Sequence, residues 1–520
     1  MNSPRIVILG IADFISSEID LPNYNDLNIY EKSRYLSKKS FYKLLDYLSF
    51  SEDSSENCIT DLISIPPSGI FSDFGHSIKL AFELGLTGIS THTIDNEGAS
   101  VGSAIEQGSR IIKDNDDRVV LISAGDAAKS ITRSASDMQY VTLTTTHKDS
   151  EVPYGATLIS LYALLGQRLF YENQITSKEI GEIIHYFRSC AIQNPRAVNF
   201  QKELKQRTLD RMIASPYSIP MIAVISDHAF STILMSERKW KELTDKKILK
   251  SPSPPVYITG YSTAIYSEYV SQRKHFESPS IKSGRDALSM SSLEPYNIDY
   301  AWIYDCFPGI LLKQISNFFD LSPYEVTQTL KSGYVLVNGK KIYINRGGGI
   351  LNYQASMSIS GATGLMDVLS QFSLTPNPLF DPRNERPVNF ALMSNNGGID
   401  SINSVVIFSR NPDAIHKNFP DQDAKKIPNK VWFPLNLPLP EKIEHIGILY
   451  SYTIIYYNPG GNIKPPYNLV CVKLPDDRLI FCNLYDSEEN MIISDKELIQ
   501  DETKVLLKYQ DKKWKGYIID

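Results

Sequence analysis

The sequence predicts an α/β protein built from more than one folding unit, with a separate β-rich domain at its C-terminal end. Three observations carry that prediction: β-branched runs alternate with amphipathic helical stretches, the chain is 520 residues long, and its character changes after Arg410. A single hydrophobic core stops growing well before that length, so two or three folding units are expected. Hydrophobic residues at 42% and charged residues at 22% are ordinary globular values, which makes disorder or a fibrous repeat a poor default.

Element by element, RIVILG reads as a strand, SIKLAFELGL as a helix and RVVLISAG as a strand. Between the last two, Val101, Ala104, Ile105, Ile111 and Ile112 recur at close to 3.6 residues and predict a helix from about Ser100. That places Gly98 of THTIDNEGAS at or near a helix N-terminus. A second junction of the same kind occurs in GGGILNYQASMSISGATGLMDVLSQF, where a glycine-rich turn runs into a helix near Gly361. The pair GAS-VGSAIEQ and GAT-GLMDVLSQ hints at a duplicated unit. The proline-rich SPSPPVYITG separates the two copies, and NPDAIHKNFPDQDAKKIPNK has the composition of a linker. Beyond it, HIGILYSYTIIYY, YNLVCVKL, RLIFCNLY, KVLLKYQ and KWKGYIID are short strands broken by NPGGN and PDD turns, the pattern of a small β-barrel of the OB-fold type. The expected boundaries are therefore residues 1–250, 251–412, 413–441 as linker, and 442–520.

Several function classes are disfavoured by bulk properties. The 53 basic and 59 acidic residues give a net charge of -6 without a basic stripe, so nucleic acid is not an expected partner. No apolar run approaches the ~20 residues that a membrane helix requires, and a soluble cytoplasmic protein is expected. Five cysteines form no CxxC pair and the eight histidines no HExxH, so no metal site is expected.

Up to about Arg410, the ordered landmarks LAFELGL, DNEGAS, VVLISAGD, YGATLISLYALLGQRLF, NPRA, SPYSIPMIAVISDHA, YDCF, GGG and GATG resemble the thiolase superfamily, specifically its sterol-carrier-protein branch. The resemblance implies a duplicated thiolase fold, five-layer αβαβα. The C-terminal piece resembles the OB-fold domain that commonly accompanies such proteins as a separate chain. By the same resemblance, thiolases use a nucleophilic cysteine at a helix N-terminus, an activating histidine, a second cysteine and a histidine of an HDCF motif. In this chain those positions read Gly98, Ser358, Ser394 and Tyr304. The substrate implied is an acyl thioester, with coenzyme A or a carrier-protein phosphopantetheine as part of the substrate and no separate cofactor.

Three readings of this altered site stand open. In the first, the protein makes or breaks a carbon–carbon bond by aldol chemistry without a covalent intermediate, which needs a base for a hydroxyl proton and donors for a thioester enolate. Tyr304 would be the base or proton relay and Tyr353 the acid or oxyanion donor. In the second, an acyltransferase has relocated its nucleophile, and Cys306 and His92 are the thiol and imidazole available. In the third, the chain is a non-catalytic subunit or scaffold. Gly98, Ser100, Gly348, Gly349, Ser358, Gly361 and Ser394 are expected around the substrate, with Gly347 permitting close backbone approach. His228, where the family usually has glycine, is expected at the surface or a subunit interface. A homodimer is expected, with a heterodimer containing an active paralogue as the alternative.

Overall fold

The computed structural model describes residues 4–50, 58–68, 73–131, 141–273, 276–376, 387–411, 444–493, 498 and 500–519. The N-terminal half contributes β1 (Ile6–Ile15), β2 (Asp61–Ser64), β3 (Ser90–Thr93), β4 (Val119–Ala127), two short strands β5 (Met212–Ala214) and β6 (Tyr217–Ser218), and β7 (Asp227–Ser236). The following half contributes β8 (Val256–Ile265), β9 (Tyr300–Trp302), β10 (Tyr334–Val337), β11 (Lys340–Ile344), β12 (Phe390–Gly397) and β13 (Ile402–Ser409). Eleven of these form one sheet, in the order β10-β11-β9-β12-β13-β8-β1-β7-β4-β2-β3, and the halves meet where β1 pairs with β8 through Val7–Tyr257 and Ile8–Val256.

Every residue of β1, β4 and β7 is buried, as strands covered on both faces must be. Alternation along β1 divides its side chains between two cores. Ile6, Ile8 and Ile11 enter the central core, whereas Val7, Leu9 and Ala12 pack outward with Phe41 and Leu44 of the Ile29–Tyr47 helix. Two central helices, Ser100–Asp114 and Gly361–Gln371, lie between the sheet halves; the first packs against β4 and β7 on one side and β8 and β13 on the other. Helices Ser280–Met290 and Pro308–Phe319 complete the far side. The layering is the duplicated αβαβα arrangement that the sequence implies. Each central helix is entered through a short 3-10 turn, Glu97–Ala99 and Met357–Ile359, so the two predicted glycine-turn-helix junctions are realised as equivalent features.

All five predicted C-terminal strands are present: β14 (Glu444–Ile455), β15 (Tyr467–Lys473), β16 (Leu479–Tyr485), β17 (Lys504–Gln510) and β18 (Lys513–Ile519). Pairing runs β14-β15-β16-β18-β17 and returns to β14, with β16 and β18 parallel, a closed ring consistent with the small β-barrel expected. This unit is fastened to the core. Tyr450, Tyr467, Leu469 and Phe481 join the central hydrophobic cluster, the Tyr467 hydroxyl donates to the Gly155 carbonyl at 2.6 Å, and Ser451 donates to the Leu164 carbonyl at 2.8 Å. The expected linker, residues 413–441, lies outside the described residues. No helix among the described residues is long and apolar enough to cross a membrane.

Candidate active site

The two 3-10 turns deliver Gly98, Met357, Ser358 and Ser360 to a cavity of about 460 Å³. Its other walls come from Pro66, Pro67 and Ser68 after β2, from Leu158, Ile159 and Tyr162 on the Leu158–Glu172 helix, from Tyr304, Cys306 and Phe307 after β9, and from Tyr457, Asn458 and Pro459 of the C-terminal unit. Predominantly apolar walls with a few hydroxyls are the ordinary make-up of a small-molecule site.

Gly98 and Tyr304 are sterically coupled. A Cβ at position 98 would collide with the Tyr304 hydroxyl and the Asn396 carbonyl oxygen. The space that a nucleophilic side chain would need is therefore filled by a phenol. Tyr304 is buried, packs edge-on against Trp302 at 6.0 Å between ring centroids, and is hydrogen-bonded through Ser360. Burial, and the neighbouring Cys306, push its hydroxyl well above the ordinary tyrosine range, against the opposing effect of Ser360. So placed, the phenol keeps its proton at neutral pH.

Cys306 also reaches the cavity, but burial drives its thiol well above the usual value, even with Tyr162 as hydrogen-bond partner. A thiol so held is a poor nucleophile. Tyr162 stacks on Phe307 at 4.4 Å and its hydroxyl joins the Gly398 carbonyl and Asn396 Nδ2. Ser358 lines the wall and donates to the Pro66 carbonyl at 3.1 Å and to Asp126 Oδ2 at 2.9 Å. Glu97 stands at the solvent-open rim, where surrounding protein desolvates its carboxyl and raises its pKa.

Other expected residues lie elsewhere. Tyr353 does not line the cavity; its hydroxyl donates to Asp13 Oδ2 at 3.0 Å inside a buried cluster with Arg196 and His228. Burial alone would raise the Asp13 carboxyl, but the Arg196 guanidinium and His228 hold it well below the usual range. His228 is thus fully buried within the chain, not at its surface, because its imidazole is required opposite Asp13. His92 is on the edge strand β3, bound to Asp61 Oδ1 at 3.1 Å and away from the cavity. Ser394 is locked between Gln314 and Asn403 Nδ2, and Ser100 caps its own turn through the Glu97 carbonyl at 2.6 Å. Gly348 and Gly349 act one step removed. Both have left-handed backbones, at φ 104° and 62°, and abut Ala191 and Asp305, letting the loop bring Ile350 into the cavity wall. Gly361 opens its helix against Asn395 and Val101.

Sequence reasoning missed Tyr162 and Asp126. Asp126 ends VVLISAGD at the C-terminal end of β4, the strand end at which open α/β sheets place their sites, and that position was the available signal.

Comparison with known proteins agrees with this architecture. Residues 262–410 match the family model described as Thiolase C-terminal domain-like. The full length superposes on a monomeric SCP2-thiolase-like protein type 1 from Mycobacterium smegmatis with TM-score 0.69 and 16% identity, covering 99% of both chains. The chain has the thiolase fold. A structure described as the Ltp2-ChsH2(DUF35) aldolase is similar over 78% of this chain and 98% of its own, with TM-score 0.60 and 18% identity. In sequence, the chain is 24% identical over 349 residues to an acetyl-CoA acetyltransferase of Methanothermobacter thermautotrophicus, covering 66% of this chain and 86% of the relative.

Proposed function

We propose that this thiolase-like chain carries out aldol or retro-aldol carbon–carbon bond chemistry on an acyl thioester, without a covalent acyl-enzyme. The observation that carries the reading is the mutual exclusion of a side chain at 98 and the Tyr304 hydroxyl. A cleft in which the nucleophile's place is taken by a neutral phenol suits protonation of a thioester enolate. The DUF35-partnered aldolase with the same fold supports it, as does a closed C-terminal β-ring that contributes Tyr457 to Pro459 to the cavity. Coenzyme A or a carrier arm would enter as part of the substrate. Relocated acyl transfer is the weaker reading, since Cys306 is held as an unreactive thiol.

The test uses purified protein with 3-hydroxy-3-phenylpropanoyl-CoA, following benzaldehyde and acetyl-CoA. Tyr304→Phe is expected to lower kcat by about 10²–10⁴-fold, whereas Cys306→Ser remains within a few-fold of the native protein. Acylation of Cys306 on intact-mass analysis, or an inactive Cys306→Ser, would replace this reading with acyl transfer. For assembly we propose a dimer across β3, the strand that ends the large sheet, beside the exposed Phe74, Ile78 and Phe82. Light scattering decides it.

A further inference from the structure

Cleavage of a β-hydroxyacyl thioester requires a base, and a neutral Tyr304 cannot serve as one. The cavity wall beneath Ser358 holds a carboxyl that is completely buried. Ser358 Oγ lies 2.9 Å from Asp126 Oδ2, and the Ser68 backbone N–H donates to the same oxygen at 3.2 Å. Both serines line the cavity, so Asp126 stands one hydroxyl behind its surface. The other carboxyl oxygen, Oδ1, finds no hydrogen-bond partner among the described residues. A buried carboxyl oxygen without a partner is costly, and a proton-handling role is one of the reasons such a group is kept.

We propose that Asp126 is the proton acceptor for the cavity, working through the Ser358 hydroxyl. The assignment rests on the aldol reading above. In the cleavage direction, the substrate's β-hydroxyl proton passes to Ser358 Oγ as the Ser358 proton passes to Asp126 Oδ2. The electron pair of the Cα–Cβ bond moves to the thioester as an enolate, the β-carbon leaves as a carbonyl, and Tyr304 protonates Cα. The phenolate and carboxylic acid left behind are restored by return of that one proton, so no co-reactant is needed.

The surroundings suit this role. Burial raises the Asp126 carboxyl to about 7, against hydrogen bonds from Ser68 and Ser358, and Asp227 on β7 adds to the rise. Asp227 is itself engaged by the Tyr24 hydroxyl and the Lys129 N–H. His228 is directly opposite Asp126 in the β4–β7 register, but its Nε2 is turned to Asp13, whose charge Arg196 balances and Tyr353 shares. On the cavity side stand Tyr304, Cys306 and, at the rim, Asp95 and Glu97. A base of that kind predicts kcat/KM rising with pH through about 7 and flat above it.

The experiment compares native protein, Asp126→Asn, Ser358→Ala and Ser358→Thr in the benzaldehyde assay across pH, with circular dichroism to confirm folding. Expected are losses of about 10²-fold or more in kcat for Asp126→Asn and Ser358→Ala, loss of the limb near pH 7, an unchanged KM, and substantial recovery in Ser358→Thr. If Asp126→Asn fails to fold, the Ser358 pair decides by the same pH limb. A folded Asp126→Asn or Ser358→Ala that keeps the native rate and limb overturns the relay and leaves the aldol reading standing. A native protein that releases no benzaldehyde overturns both.

Discussion

At position 98, one hydrogen atom sets the chemistry available. Gly98→Ala introduces a methyl group against the Tyr304 hydroxyl and the Asn396 carbonyl, and overpacking of this kind costs about 1–3 kcal/mol. Thermal unfolding should show Gly98→Ala clearly destabilised, and less so when Tyr304→Phe has already removed the hydroxyl. Tyr353 gives the contrasting case. Loss of its hydroxyl leaves Asp13 with one donor fewer in a buried charged cluster, so Tyr353→Phe is expected to lower stability by about 1–3 kcal/mol with kcat kept. A large kcat loss in a stable Tyr353→Phe protein would contradict the placement of Tyr353 outside the site. Of the residues singled out in sequence, Gly98, Tyr304, Cys306 and Ser358 converge on the cavity, while Tyr353, His92 and Ser394 do not. The first group was legible because the landmarks that resemble thiolases, DNEGAS, YDCF and GATG, fix its place along the chain. Linear position could not place Tyr353, whose hydroxyl is turned away to Asp13 on β1, more than three hundred residues distant in sequence.

At the level of elements, the loop joining β14 to β15 matters because it closes the cavity from outside the thiolase core. Tyr467 holds it: its hydroxyl donates to the Gly155 carbonyl at 2.6 Å and accepts from Asn458 Nδ2 at 2.6 Å. The side chain also fills the space above Gly155, where a Cβ would collide with its ring and where the left-handed φ of 76° favours glycine. Tyr467→Phe releases Asn458 while keeping the ring. KM for an acyl thioester should rise several-fold with kcat little changed, and an unchanged KM would show that the loop is held by other contacts. The five strands of this unit were legible one by one from alternation and turn residues. Their ring order was not, because the β16–β18 parallel pair joins strands with a third strand, β17, between them in sequence.

For the whole molecule, buried carboxyls set opposing pH dependences. Asp126 and Asp305 are raised to about 7 and Asp367 to about 6, each mainly by burial, whereas an unfolded aspartate titrates near ~3.9. Between those values the unfolded chain loses the proton that the folded state keeps, so stability from these groups falls as pH rises from about 4 to about 7 and is level above. Asp13 acts in the other direction: its carboxyl is held low, and its contribution is lost as pH falls below the unfolded value. Tm measured at pH 5 and pH 8 should drop less in Asp305→Asn than in the native protein. An equal drop would show that Asp305 keeps its charge when folded.

By itself the sequence determined which segments become strands and helices, that two strand-turn-helix units repeat, and that position 98 carries no nucleophile. Those are local properties, set by periodicity, turn chemistry and side-chain identity within a few residues. Tertiary structure decided which tyrosine faces the cavity, that Asp126 lies behind Ser358, and that His228 is buried opposite Asp13. These depend on residues brought together from distant parts of the chain, and the protonation of each buried group follows from burial and neighbours that exist only once the sheets and helices have closed around it.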